Sequence, residues 1–181
     1  MQSLILEQAW TLLEEEGLSG LTPQRLALKT SECELEIRKL YPTDLAILLA
    51  LWYDVENQAI LSTGSSLVVQ DFLFEQLMAI FDILQPRRLA IRRLLSELWL
   101  SPCWAAGLLP YATRWSRHVL RQAGLKTEGI LGIAKIHIFN LFCLHMMYEW
   151  AHDSTPDLSL TMARLDQGLS ELLRWESKKW V

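Results

Sequence analysis

Apolar side chains recur at intervals of three and four along most of the chain, and strict alternation of apolar and polar positions is scarce. The pattern predicts an all-α protein of about nine helices. A first helix runs from about Ser3 to Glu16, with Leu4, Ala9, Leu12 and Leu13 as its apolar stripe and Gly17 as its stop. Thr22 is placed to cap a second helix, "PQRLALKT", with Pro23 at the first helical position, where its missing N–H costs nothing. Ser31 and Glu34 have the spacing of a capping box, which predicts a third helix from Glu32 to about Tyr41. Pro42 stops that helix, and Thr43 or Asp44 caps a long apolar fourth one that ends at "STGSS", residues 62–66.

The same periodicity predicts helices over about 66–84, 87–99, 104–123 and 127–151, and a ninth from the end of "DSTPD" to about Trp175. The eighth, with "ILGIAKIHIFNLFCLHMMYEW", is the most apolar stretch. Lys135, His137, Asn140 and His145 interrupt it at a cost in hydrocarbon, so it reads as a buried or subunit-contact helix and not as a membrane span.

Composition narrows the class. Of 181 residues, 51% are apolar and only 21% charged, so the chain is globular, not disordered. The opening "MQSLILEQAW" does not read as a secretory signal, and the expected compartment is the cytoplasm. Cys33, Cys103 and Cys143 match no zinc or redox spacing and read as ordinary, mostly buried thiols, with no disulfide and no metal. His137, His145 and His152 share a face of the eighth helix but stand two turns apart, too far for a common ion. HExxH, GxSxG, P-loop and GxGxxG motifs are absent, and no carboxylate pair stands out as acid and base; the sequence points to a non-enzyme without a cofactor.

Charge is unevenly spread over a net −4. Residues 1–48 hold four cations against eight carboxylates, whereas residues 86–127 hold eight cations against Glu97 alone. The basic segment reads as a solvated face balanced by acids from the fifth and ninth helices, or as a patch for anionic headgroups. The tail "RWESKKWV", with Trp175 and Trp180 around Lys178 and Lys179, suits the second reading and a peripheral membrane contact.

Three short helices with a tight turn between the second and third, the "YP" step at Tyr41–Pro42 and a long apolar fourth helix resemble the tetracycline-repressor (TetR) family of transcriptional regulators. The likeness runs from "LILEQAWTLLEEEGLSGLT" through "PQRLALKTSECELEIRKLYPTDLAILLAL", with Thr22 and Ala27 at positions where that family commonly has these residues. The stretch "YEWAHDSTPDLSLTMARLDQGLSEL" is similar to the end of TetR-like proteins, and also to lipid-binding proteins of coenzyme Q biosynthesis that share the fold.

The resemblance implies a helix-turn-helix DNA-binding-like domain over 1–48 and a helical ligand-binding and dimerisation domain over 49–181. It implies a homodimer through the eighth and ninth helices. On the head, Thr22, Gln24, Arg25, Lys29, Glu36, Arg38 and Lys39 are the candidate DNA-binding residues, with Arg38 and Lys39 on phosphates and Glu36 able to accept from cytosine. Two positions depart from the family: Leu35 where Gly or Ala is usual, and Arg38 where Tyr is usual.

Glu32, Glu34 and Glu36 sit on the helix that would face a polyanion, while DNA affinity rests largely on counterion release by cations. Two functions follow: a DNA-binding regulator with a small apolar effector, or a lipid- or isoprenoid-binding accessory protein that has lost DNA. For the ligand pocket the candidates are Phe74, Met78, Phe81, Trp99, Trp104, Trp115, Phe139, Phe142 and Met146, large side chains of helices that enclose cavities in such bundles.

Overall fold

A computed structural model describes residues 2–62 and 68–178, with side chains over 3–59 and 68–174. Among the described residues it is all-α: α1 (Gln2–Glu16), α2 (Pro23–Thr30), α3 (Glu34–Leu40), α4 (Asp44–Ser62), α5 (Val69–Leu84), α6 (Arg88–Leu100), α7 (Pro102–Gln122), α8 (Gly129–His152) and α9 (Ser159–Lys178), with a 3-10 turn at Gln85–Arg87. The expected break at "STGSS" and the tail after Lys178 lie outside the described residues, apart from Ser62 as the last residue of α4.

Local signals explain most boundaries. Thr22 has extended backbone, its Oγ1 accepts from the Arg25 N–H, and Pro23 opens α2. Thr43 Oγ1 accepts from the Ala46 N–H at 3.1 Å and starts α4 in the same way. The capping box does not form. Ser31 instead ends α2 in the left-handed region (φ 57°), with its N–H on the Ala27 carbonyl, and Cys33 precedes α3. Once Ser31 closes one helix it is not free to cap the next, and the Glu34 carboxylate turns to Arg38.

The described residues group into two compact units, one up to Gln58 together with Ile83–Leu109, the other Ala59–Asp82 together with Pro110 onward. In the first unit α1 packs on α2 and α6. Ile5, Ala9, Leu12 and Leu13 are buried on α1, Leu26 on α2, Ile37 on α3, and Ala90, Ile91, Leu94 and Leu95 on α6. Leu4, expected in the stripe, faces outward, and Ile5 takes the inward place.

Two basic residues at and on α6 have partners in the first unit. Arg87 pairs with Glu7, and the Arg93 guanidinium donates to the carbonyls of Glu14 (3.1 Å) and Glu15 (2.5 Å), the open C-terminal end of α1. A cation there meets the negative end of the helix dipole. Arg93 also pairs with Glu97 at 3.0 Å, and Glu97 accepts the Leu18 N–H at 2.7 Å. Arg87 and Arg93 are thus balanced by acids of α1 and of α6 itself.

The second unit is built around Trp150, fully buried and stacked on Phe81 with centroids 5.3 Å apart and planes 7° from parallel. Between α8 and α9, Asp153 is buried in the linking loop. One of its oxygens accepts from the N–H and hydroxyl of Thr155 (2.8 and 2.6 Å), the other from the N–H and hydroxyl of Thr161 (2.9 and 2.6 Å). Burial works against the charge, yet these donors outweigh it and hold the carboxyl well below the usual carboxylate range. The conspicuous "DSTPDLSLT" is therefore a staple that sets how α9 leaves α8.

Candidate functional site

The head and the α8–α9 region are separate candidates. On the head, α2 and α3 pack together as a helix-turn-helix, with Leu26, Ala27 and Ile37 turned inward. Every expected DNA contact except the capping Thr22 is exposed: Gln24, Arg25, Lys29, Glu36, Arg38 and Lys39.

The four cations of this set do not project alone. Arg25 lies 3.5 Å from Glu16, Lys29 2.6 Å from Glu15, Arg38 2.8 Å from Glu34 and Lys39 2.6 Å from Glu36. The hydrogen bond from Lys39 to Glu36, with the attraction between their charges, raises the ammonium above its ordinary value. Each such exposed pair contributes only about 0–1 kcal/mol, so none of them holds the fold together. Their consequence is electrostatic. A phosphate that drew one of these cations away would leave a carboxylate next to a polyanion.

The second candidate is a groove of about 810 Å³ in the α8–α9 region. From α8 it takes Leu131, Lys135, Ile138, Phe142, His145 and Glu149, spaced four, three, four, three and four residues apart and so on one helical stripe, together with Ala134, Phe139 and Met146. From α9 it takes Arg164, Gln167, Gly168, Glu171 and Leu172, again one face, and Leu120 and Leu125 close the end by α7. Gly168 has a reason to be glycine: a Cβ there would collide with the Phe142 ring, so its absence lets the ring lie against the α9 backbone.

The lining is mostly apolar by area, with Lys135, His145, Glu149, Arg164, Gln167 and Glu171 as its polar side chains. Glu149 pairs with Arg164 across the groove, and His145 Nε2 stands 3.9 Å from Glu149. Volume and lining fit a drug-sized apolar molecule with one polar end.

Of the expected pocket residues, Phe139, Phe142 and Met146 line this groove, and Trp115 stands behind it, stacked on Phe139 with centroids 6.1 Å apart. Phe81 is spent in the core against Trp150, and Phe74 and Met78 are half-buried on α5, away from the groove lining. Trp99 and Trp104 belong to the first unit, and Trp99 is 76% exposed. Sequence reasoning missed Lys135, Glu149, Arg164 and Gly168, although the α8 stripe was there to be read. Among the cysteines, Cys33 and Cys103 are exposed and Cys143 half-buried, against the expectation of mostly buried thiols.

Helix α8 itself is long and apolar enough to cross a membrane by length and composition, but only 22% of its most apolar window is buried within its own chain. Ile130, Ile133, Ile138, Leu141 and Tyr148 stand exposed along it.

No protein-family model and no curated protein sequence matches the chain. Among solved structures it is similar to a TetR transcriptional regulator from Rhodococcus sp. RHA1, with a TM-score of 0.68 over 93% of each chain at 12% sequence identity. The fold is that of the TetR regulators. An identity of 12% carries the TetR fold and nothing finer, so the function rests on the side chains of the head and the groove.

Proposed function

We propose that this chain is a homodimeric, ligand-binding protein of the TetR fold that takes an apolar or lipid-like molecule along α8 and α9, and whose head does not read DNA. The observation that carries this reading is the self-neutralised head: its four cations each face a carboxylate of the same head, and its net charge is −4. A helix-turn-helix reader displaces counterions with its cations, and here each cation has a carboxylate beside it that would meet the same phosphate.

Pairing of two copies through α8 and α9 covers the apolar side chains that α8 leaves open, and laying a second α8–α9 pair across the groove closes it over its ligand. The ligand then sits in a largely apolar chamber, with the Glu149–Arg164 pair to orient a polar end.

The second reading is a DNA-binding regulator with a small apolar effector, favoured by the likeness to the Rhodococcus TetR regulator over 93% of both chains. In it, Arg38 and Lys39 exchange their glutamates for phosphates. Fluorescence anisotropy with random and own-promoter duplexes over a salt series separates the two. We expect no binding even at low salt, and lipid carried through purification in native mass spectra. Salt-dependent binding that prefers the promoter would establish the regulator instead.

A further inference from the structure

The groove is built to discriminate by charge as well as by apolarity. Helices α8 and α9 run antiparallel along it: Thr161 meets Asp153 near one end, and Gly168 meets Phe142 further along. Its lysine, arginine and glutamate side chains therefore fall into two groups of mixed sign. Glu149 and Arg164 pair at the end near Asp153, while Lys135 and Glu171 both lie beyond Phe142 and Gly168 towards the other end. Lys135 also turns its Nζ to the Lys126 carbonyl at 3.5 Å.

A carboxylate or an ammonium group brought into either end meets a like charge beside an opposite one, and gives up its hydration for little net attraction. A hydroxyl or a carbonyl gives up less and has a partner at hand. His145 lies on the groove stripe, and its Nε2 stands 3.9 Å from Glu149, beyond hydrogen-bond reach. That nitrogen can serve an uncharged head as donor or as acceptor, according to its tautomer.

Given the reading of the groove as a ligand site, on which this rests, we infer that it takes a single-chain amphiphile with an uncharged, hydrogen-bonding head of the fatty alcohol, ester or ketone class. The head sits by His145 and the Glu149–Arg164 pair, and the chain runs past Phe142 and Ile138 towards Leu131. From His145 back to Lys135 is ten residues of helix, about 15 Å, which is the extended length of roughly twelve carbons. Gly168 keeps this path open. A Cβ there would stand 2.5 Å from the Phe142 ring, and behind that ring Phe139 is fully buried and stacked on Trp115. A ring pushed off α9 has the groove to move into.

The full chain is loaded with Nile red, a neutral apolar dye, which is then displaced near neutral pH with 1-dodecanol, dodecanoate or dodecylammonium, each below its micelle-forming concentration. Dodecanol is expected to act at concentrations on the order of tenfold lower than either charged probe. Glu149→Gln leaves Arg164 without its counter-charge and should turn the preference to dodecanoate, whereas Arg164→Gln should turn it to dodecylammonium. Gly168→Ala should weaken dodecanol on the order of tenfold by setting the Phe142 ring in its way. Unchanged helical circular dichroism shows that each variant folds.

A wild-type preference for a charged probe, or equal displacement by all three, overturns the uncharged head and leaves the groove a ligand site. A preference for dodecanol that none of the three variants moves puts the molecule elsewhere on the chain and overturns the inference too. Failure of the dye and of every probe to bind overturns the groove reading along with it.

Discussion

At the scale of single residues, Gly17 shows how much one position can be asked to do. It ends α1 at φ 74°, and a Cβ there would run into the Glu97 carboxylate, which is itself held by Arg93 and by the Leu18 N–H. Gly17→Ala must pay strain in the left-handed region and also dislodge that carboxylate. We expect a loss of about 1–3 kcal/mol in urea unfolding, with the helical content retained. The glycine was legible in the sequence as a helix stop, because that depends on neighbours in the chain. Its engagement with Glu97, eighty positions further on, depends on how α6 returns to α1, and no local pattern announces it. Glu34 teaches the complementary lesson. Its spacing from Ser31 satisfied a local rule, but Ser31 was already in use as the end of α2.

At the scale of elements, the loop that joins α8 to α9 is held by Asp153. Its carboxyl is depressed in the folded chain, so the stability it gives is present above the ordinary carboxylate value near 4 and is lost as pH falls through the folded value. Asp153→Asn should cost about 2–3 kcal/mol near neutrality, since an amide cannot accept on both sides. Below about pH 4 the wild type should lose stability faster than the variant, so the two thermal midpoints converge. A constant gap down to pH 3 would assign the effect to packing alone.

Helix α8 gives the second prediction at this scale. Leu141 is 67% exposed on it, so Leu141→Glu should leave the fold of one chain intact while breaking the proposed contact between copies. Size-exclusion chromatography with light scattering should find the wild type at twice the 20.9 kDa of one chain and the variant near that mass. The spacing and length of α8 were plain from its apolar run. Which face meets α9 and which stays open was not, because apolar residues stand on several faces of α8 and its groove stripe carries charged residues as well.

At the scale of the whole molecule, the helices and their order were legible from periodicity and caps, and the all-α architecture with them. The groove was legible only in part. Of the large side chains expected to surround a ligand, Phe139, Phe142 and Met146 line the candidate groove; Phe81 and Trp99 satisfied the same chemical criterion and went elsewhere, one into the core and one to the surface. Residue type says what a side chain does best, and tertiary packing decides where it does it. The head shows the same limit in charge. Its acid excess could be counted in the sequence, but the pairing of each cation needed the fold.

One consequence of the open α8 face concerns abundance. If two copies must meet to hide it, folding and association become a single equilibrium, and dilution acts on this protein as a denaturant does. The quantity of chain a cell holds then belongs to its stability as much as any residue in its core, and a fall in expression removes function faster than the loss of molecules alone.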